Sequence, residues 1–224
     1  MVFLKIILGV FIVLLIYGII HLVKDVKKER YQSSSINQIN DLIKNGREKI
    51  ICLDTETTGL DSTWDEILQL SVIDGNGKVL FDEYIKPSHR RTWRNAEAIH
   101  GISPGMVKNK QPITNHKAEI TRIIEDSSLI IGYNFTGFDA EFLQSAGIIP
   151  QANYVVDVML NFSQVYGEWN SKYKSYKYKK LEVCTKYYKY SQIKKHNSLQ
   201  DAKATLFCFY EMAKRKQIKI IDTF

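Results

Sequence analysis

The alternation of hydrophobic and polar positions predicts a domain in which strands come first and then alternate with helices. Five runs have the apolar or alternating pattern that is typical of strands, at residues 49–54, 66–74, 79–85, 127–134 and 153–160. The turn sequence DGNGK, residues 74–78, separates the second and third runs and predicts a hairpin. Helical patterns occupy residues 92–125, 136–147 and 198–216. This order predicts an α/β fold, with a mixed β-sheet flanked by helices.

A long apolar run, IILGVFIVLLIYGIIHLV at residues 6–23, comes before this domain. His21 is its one acidic or basic side chain, and a helix needs about 17 to 25 apolar residues to cross a bilayer. The run therefore predicts one N-terminal transmembrane helix. A cleaved signal peptide is the alternative, with Ser33 and Ser35 at a cleavage-like position. We favour a retained anchor, because signal peptides have shorter apolar regions of roughly 7–15 residues.

Basic residues are distributed unevenly around this run. Lys5 precedes it, and four basic residues follow it directly: Lys24, Lys27, Lys28 and Arg30. The positive-inside rule then predicts a single-pass protein whose C-terminal domain lies in the cytoplasm. The predicted organisation is an anchor with its basic flank at 1–30, a connector at 31–47, a folded domain at 48–216 and a tail at 217–224.

The composition restricts the class of protein but does not indicate a specific function. The chain is 45% hydrophobic and 25% charged, which excludes wholesale disorder. Its formal net charge of +7 fits an anionic partner such as nucleic acid or a lipid surface. Cys52, Cys184 and Cys208 have no metal-binding spacing, so we interpret them as reduced core thiols.

Two acids at the end of the first predicted strand suggest a metal site. Asp54 and Glu56 lie two positions apart, so their side chains share one face of the strand. Two carboxylates at such a short distance repel each other unless a proton or a cation lies between them. Mg²⁺ prefers oxygen ligands of this kind. Taken alone, this pattern also fits a strand that simply reaches solvent.

Two further acids each precede or begin a predicted helix. Asp139 follows Thr136 by three residues, and Asp201 follows Ser198 by three residues, so either pair could be a helix capping box. His196 lies just before Asp201, where its imidazole could act as a general base near neutral pH or could simply be solvated.

The motifs are most informative in combination. The segments LDTETTGLDSTWDEILQLSVID, AIHGIS, NFTGFD and HNSLQDA occur in this order. Together they resemble the DEDDh 3′–5′ exonuclease family, which includes the proofreading epsilon subunit of bacterial DNA polymerase III. The resemblance runs from about Lys49 to about Arg215 and implies an RNase H-like fold.

The resemblance also implies a set of site residues. Four acids would hold two divalent ions, Mg²⁺ or Mn²⁺: Asp54, Glu56, Asp139 and Asp201. His196 would take a proton from the attacking water, and nucleoside 5′-monophosphates would leave the 3′ end of single-stranded DNA. Six residues would contact the terminal nucleotides: Thr57, Thr58, Gly59, Leu60, Asn134 and Phe138. His100 would lie near this pocket without a catalytic role, and Tyr133 departs from the family's usual histidine.

Several alternatives stay open from the sequence. The same five residues would serve an RNA 3′–5′ exonuclease of the RNase T or oligoribonuclease type, since discrimination of the sugar depends on a 2′-hydroxyl contact. A nucleic-acid-binding membrane protein without catalysis is a second alternative, and a polymerase partner is a third that we do not favour. The lysine- and tyrosine-rich stretch at 166–195 could contact a single strand, an anionic lipid or only solvent.

Overall fold

The computed structural model describes residues 17, 21, 22, 24, 28, 32–191 and 196–219. These belong to two compact units, Met1–Gln38 and Ile39–Phe224. The predicted transmembrane run at 6–23 lies almost entirely outside the described residues. Within the described residues, the helices are all too short or too polar to cross a bilayer.

The strands form a mixed sheet, which confirms the prediction from the sequence. In the described part of the chain the strands are β1 (Ile50–Thr57), β2 (Ile67–Asp74), β3 (Val79–Tyr84), β4 (Leu129–Gly132), β5 (Tyr154–Asp157), β6 (Trp169–Asn170) and β7 (Ser175–Tyr176). The first five form one sheet in the order β3-β2-β1-β4-β5. β1 is antiparallel to β2 and parallel to β4, and β2 and β3 form the predicted hairpin.

Helices pack on this sheet. The helices of the described residues are α1 (32–45), α2 (Arg94–His100), α3 (Pro104–Val107), α4 (Ile113–Glu125), α5 (Asp139–Ser145), α6 (Val158–Tyr166), α7 (Leu181–Tyr187) and α8 (Ser198–Lys214), with a 3₁₀ turn at Arg47–Lys49. α8 packs across β1, β2 and β4. Another part of the core joins the sheet to α4 and α5 through buried residues such as Leu70, Ile120, Phe135 and Leu143. All three cysteines are free and buried, as expected.

β1 is longer than its parallel neighbour, and this difference shapes the site. The sequence pattern predicted a strand over 49–54, but β1 continues to Thr57 because β2 pairs with it along the whole length. β4 pairs only with residues Ile50–Cys52 of β1 and ends at Gly132. The second half of β1 therefore has an edge that no strand covers among the described residues. Asp54 and Glu56 lie in this half.

The structure corrects the predicted strand at 153–160. β5 ends at Asp157 and α6 begins at Val158, because the Asp157 carboxylate accepts the backbone N–H groups of Met159 and Leu160. Such capping satisfies donors that a helix start leaves unpaired. The apolar residues after Asp157 therefore belong to a buried helix, although their pattern alone also fits a strand.

The buried Asp157 carboxylate also fixes the loop that leads into α5. Its Oδ1 accepts the N–H of Asn134 at 3.1 Å, and its Oδ2 accepts the N–H and hydroxyl of Thr136 at 3.3 and 3.2 Å. Asn134 has a positive φ of 62°, a conformation that asparagine tolerates better than most residues. One carboxylate thus connects β5, the α6 start and the loop at 133–138.

We expect Asp157→Asn to destabilise the fold by roughly 3 kcal/mol, because the new amide N–H₂ would face donors that now share a carboxylate. The measurement is urea unfolding of the full chain in neutral detergent. Asp126→Asn, at the exposed end of α4, is the matched control and should change stability by less than about 0.5 kcal/mol. Equal stability of the two variants would show that the Asp157 hydrogen bonds are dispensable.

Candidate active site

Four carboxylates lie close together at the uncovered edge of β1. Burial raises the pKa of Asp54 well above its usual value, and the negative charges of Asp139, Asp201 and Glu56 raise it further. Burial, with the charges of Asp201 and Asp139, raises the pKa of Glu56 to about 8. The D-x-E pattern is therefore part of a crowded anionic cluster, and the interpretation as a strand end that simply reaches solvent is wrong.

Asp139 enters this cluster from the first turn of α5. Its side chain is 2% exposed, and its Oδ1 accepts the Thr55 hydroxyl at 2.7 Å. Burial raises the pKa of Asp139 to about 7, while the hydrogen bonds from Thr55 oppose that rise. The capping-box interpretation of Thr136 is wrong, because α5 begins after Phe138 and Thr136 bonds to Asp157 instead. Thr55 was missed by sequence reasoning, since a threonine between two acids carries no distinctive signal.

Asp201 and His196 are brought together by the start of α8. The Asp201 Oδ2 accepts the backbone N–H of His196 at 3.1 Å. His196 is exposed and adopts a left-handed backbone conformation with φ of 54°. One ligand atom from each of Glu56, His196 and Asp201 lies within 4.8 Å of the others. The structure thus brings together carboxylates from β1 and α8 and an imidazole from the residues just before α8.

A chain of polar side chains holds the start of α8 against the sheet. The N-cap of α8 is Asn197 rather than Ser198, so the second capping-box interpretation is also wrong. Asn197 donates to the Gln69 Oε1 at 3.3 Å, and the hydroxyls of Ser198 and Ser71 are 2.5 Å apart. Asp82 on β3 accepts from Gln69 at 3.0 Å and from Ser71 at 2.7 Å. Sequence reasoning missed this chain, although two polar residues within a strong hydrophobic strand were a usable signal.

A cavity of about 630 Å³ opens beside Glu56. It is bounded by the turn after β1 and by α2, and its lining includes Thr57, Thr58, Gly59, Leu60, Arg90, Asn95, His100 and Phe138. The structure therefore places five of the six predicted nucleotide contacts around one space. Their contact with a nucleotide stays a prediction.

The threonine hydroxyls in this turn bond within the protein. Thr57 donates to the Gly59 carbonyl at 2.6 Å, and Thr58 donates to the Asp65 Oδ1 at 3.0 Å. Gly59 packs so closely that an added Cβ would lie 2.2 Å from the Asp65 Oδ2. The glycine is therefore required by its packing against Asp65. These residues shape the cavity wall through the fold of the turn.

His100 stabilises the same wall. Its Nε2 lies 3.1 Å from the Thr57 carbonyl, and its Nδ1 accepts the Ile102 N–H at 2.9 Å. These partners require a neutral ring with the proton on Nε2, and burial lowers the pKa of His100 in agreement. His100 thus connects the turn after β1 to the residues that follow α2.

A second cavity, also about 630 Å³, meets the site on its other side. Its lining includes Tyr133, Asn134, Met159, Tyr178, Lys179, Lys180, His196 and Asp201. Leu60, which is 87% exposed, and Phe138 line both cavities. The anionic cluster therefore lies where two openings for a ligand meet.

The carboxylates fit divalent cations. Burial and mutual repulsion both disfavour the ionised carboxyls, and a cation among them would offset both effects. Their oxygen atoms are the ligands that Mg²⁺ and Mn²⁺ prefer. Asp54, Glu56, Asp139 and Asp201 are the residues that could hold these ions, and His196 adds a group that can accept a proton.

Comparisons with known proteins agree with this geometry. The RNase_T family model, described as an exonuclease, matches residues 51–209. A PolC-type DNA polymerase III from Thermotoga maritima is 37% identical over 112 residues, covering 49% of this chain and 8% of the relative. The zinc-bound E. coli ExoI–ssDNA complex has a TM-score of 0.60 at 22% identity, covering 75% of this chain and 40% of that chain. Exonuclease X in complex with 5′ overhanging duplex DNA has a TM-score of 0.57 at 19% identity, covering 75% and 93%.

This chain thus spans less than a tenth of the PolC-type relative and less than half of the ExoI chain. The structural likenesses confirm the RNase H-like exonuclease fold that the motifs implied. The matched range, residues 51–209, contains Asp54, Glu56, Asp139, His196 and Asp201. The chain belongs to the RNase_T family of exonucleases.

Proposed function

We propose that this protein is a metal-dependent 3′–5′ exonuclease that releases nucleoside 5′-monophosphates from single-stranded DNA. The observation that carries the proposal is the cluster of Glu56, His196 and Asp201 at the meeting point of two cavities. The PolC-type DNA polymerase relative and the ssDNA in the ExoI complex support DNA as the substrate.

The placement of the side chains supports the roles that the resemblance implies. Asp54, Glu56, Asp139 and Asp201 would hold two divalent ions. When bound, such ions neutralise phosphate charge and favour ionisation of the attacking water. His196 accepts the proton of that water at the ring nitrogen that lies near the Glu56 and Asp201 carboxylates. Because His196 is exposed, it can return the proton to solvent.

The cavity walls account for an end-directed reaction. The first cavity is bounded by the turn at Thr57–Leu60 and by α2, and would hold the terminal nucleotide. Leu60 and Phe138 lie between the two cavities, where they would contact the last bases. The upstream part of the DNA strand would then continue through the second cavity. Cleavage at the cluster removes one nucleotide at a time.

The activity test uses the full chain in neutral detergent with 5′-labelled single-stranded DNA and RNA of equal sequence. With Mg²⁺ or Mn²⁺ we expect a ladder that shortens from the 3′ end, faster on DNA, and no cleavage in chelator. His196→Ala should lower kcat by about 10²- to 10⁴-fold, since it removes the proton acceptor.

His116→Ala is the matched control, because His116 packs on Phe81 and lines neither cavity. It should retain wild-type activity. Faster cleavage of RNA would move the substrate assignment to RNA. Intact DNA and RNA in the presence of either metal would contradict the proposed activity and favour a binding protein.

A second prediction concerns stability without metal. The pKa values of Glu56 and Asp139 are raised to about 8 and about 7. The folded chain therefore binds protons more tightly than the unfolded chain. In chelator, this contribution to the free energy of unfolding is present below about pH 4 and is lost as pH rises to about 8.

Mg²⁺ at about 100 times its Kd should raise the free energy of unfolding by about 2.7 kcal/mol at pH 8, or the Tm by roughly 5–10 °C. Asp54→Asn removes one charge from the cluster, so in chelator it should melt above wild type and respond less to Mg²⁺. Thermal unfolding followed by circular dichroism checks both. A metal-free Tm that rises between pH 5 and pH 8 would contradict the crowding of these acids.

The proposal includes attachment to a membrane with the catalytic domain in the cytoplasm. The support is in the sequence: the apolar run at 6–23 and the basic residues that follow it. Protease added to intact cells should spare the domain, and it should digest the domain after lysis. Digestion in intact cells would contradict the orientation, and recovery of the chain in the soluble fraction would contradict the anchor.

A further inference from the structure

A small hairpin beside the site has no role in the chemistry above. We name residues 168–180 the Lys/Tyr hairpin. β6 and β7 pair Trp169 with Tyr176, and the Lys177 N–H donates to the Glu168 carbonyl at 2.8 Å. The Glu168 carboxylate also pairs with the Lys177 ammonium at 2.6 Å. Part of the stretch at 166–195 that the sequence left open is therefore a structured hairpin.

The hairpin is joined directly to the active-site loop. Tyr133 donates its hydroxyl to the Lys179 carbonyl at 2.6 Å. Lys179 also pairs with Glu168, and its ammonium lies 4.5 Å from the ring centre of Tyr166. Tyr133 directly precedes Asn134, which lines the second cavity. The end of the hairpin is thus fixed at the wall of that cavity.

Four aromatic rings of the hairpin face solvent. Their exposed fractions are 52% for Trp169, 67% for Tyr173, 38% for Tyr176 and 62% for Tyr178. Trp169 and Tyr176 pack edge to face with ring centres 5.2 Å apart. Apolar surface concentrated in this way usually marks an interaction site. The rings are available to stack on a flat partner.

The hairpin is also strongly basic. It contains five lysines and one acid, Glu168. Glu168 pairs with Lys177 and Lys179, so Lys172, Lys174 and Lys180 add positive charge that this acid does not neutralise. Lysines neutralise phosphates while aromatic rings stack on bases, and the two together are typical of single-strand binding surfaces.

The second cavity connects this surface to the catalytic cluster. Tyr178 and Lys180 line it together with His196 and Asp201. A strand whose last nucleotide lies in the first cavity would pass Leu60 and then reach these two residues. An anionic lipid would account for the lysines, but it would not account for a cavity that joins them to the catalytic residues.

We infer that the Lys/Tyr hairpin binds the single-stranded segment that lies upstream of the terminal nucleotide. Bases stack on Tyr178 and Tyr173, and phosphates contact Lys180, Lys174 and Lys172. This inference rests on the proposed function, because it uses the same substrate and the same direction. The hairpin thereby sets the affinity for long strands without taking part in the chemical step.

The test compares two hairpin variants, each with a matched control, as full chains in neutral detergent. Tyr173→Ala/Tyr178→Ala removes two rings, and Tyr173→Phe/Tyr178→Phe keeps them. Lys172→Gln/Lys174→Gln/Lys180→Gln removes three charges that Glu168 does not neutralise. Its control, Lys78→Gln/Lys110→Gln/Lys117→Gln, changes exposed lysines that line neither cavity.

Binding is measured in chelator by fluorescence anisotropy, with 5′-labelled thymidine oligonucleotides of two and twelve nucleotides. The alanine and glutamine variants should bind the twelve-nucleotide strand about tenfold or more weakly. Their affinity for the dinucleotide, and all affinities of the control variants, should match wild type. The three-lysine variant should also lower the slope of log K against log salt by about 2.

Kinetics separate this inference from the proposed function. The p-nitrophenyl ester of thymidine 5′-monophosphate has no upstream nucleotide, so the hairpin variants should hydrolyse it at the wild-type rate. On the twelve-nucleotide strand they should show a raised KM and an unchanged kcat. Wild-type KM on the long strand would overturn the inference while leaving the exonuclease intact. Equal losses of activity on the ester and on the twelve-nucleotide strand would also overturn the inference, because they would indicate a general folding defect.

The remaining outcomes are also distinguishable. An inactive wild type on every substrate would contradict the proposed function, and the binding series would still test the hairpin. A lipid surface is tested through tryptophan emission of wild type and Trp169→Phe. We expect the tryptophan emission to change when the twelve-nucleotide strand is added, and we expect a smaller change in Trp169→Phe than in wild type. A change that depends on Trp169 with phosphatidylglycerol micelles but not with DNA would assign the surface to lipid instead.

Discussion

The concentration of four carboxyl groups at one edge of the sheet is the constraint on which the site depends. Asp54, Glu56, Asp139 and Asp201 come from a strand and from two helix starts. Burial raises the pKa values of the first three, and repulsion within the cluster raises those of Asp54 and Glu56 further. An isolated cluster of this kind opposes folding, because each ionised carboxylate loses hydration and gains like-charged neighbours. Divalent cations bound among the carboxylates would replace this repulsion with attraction. Cation binding would therefore stabilise the folded state, which the cluster alone destabilises.

The length difference between β1 and β4 leaves room for the four carboxyl groups to come together at this edge. β4 ends at Gly132, and the loop that follows brings Asp139 to the part of β1 that β4 leaves uncovered. Thr55 then bonds to Asp139 where a longer β4 would have paired with the strand. The Asp157 carboxylate holds the loop, and the Gln69–Ser71–Asp82 chain holds the start of α8. Positioning thus depends on the buried residues Asp157, Gln69 and Ser71 and on the exposed Asp82, and these four residues line neither cavity.

The sequence predicted the parts of this arrangement that depend on pattern. Hydrophobic alternation located β1, β2 and β3, and the order of the four motifs located the acids and His196. The sequence pattern could not predict that β1 extends to Thr57, because that extension depends on pairing with β2 rather than on the strand preference of these residues. The sequence also offered Thr136 and Ser198 as possible helix caps, and neither residue caps its helix, since Thr136 bonds to Asp157 and Ser198 bonds to Ser71. Contacts between residues far apart in sequence decided these points.

The Lys/Tyr hairpin shows how a peripheral element can become part of a site without supplying chemistry. The hairpin was not predicted from the sequence, although the alternation of lysine with Tyr176 and Tyr178, which has the period of a strand, was a readable signal. Its attachment was not readable, because it depends on the hydroxyl of Tyr133 reaching the Lys179 carbonyl. In the exonuclease motif that this stretch resembles, a histidine often precedes the asparagine, and a histidine could not place a hydroxyl there. Tyr133, the residue that departs from that motif, is thus the one that bonds to the end of the hairpin beside the second cavity.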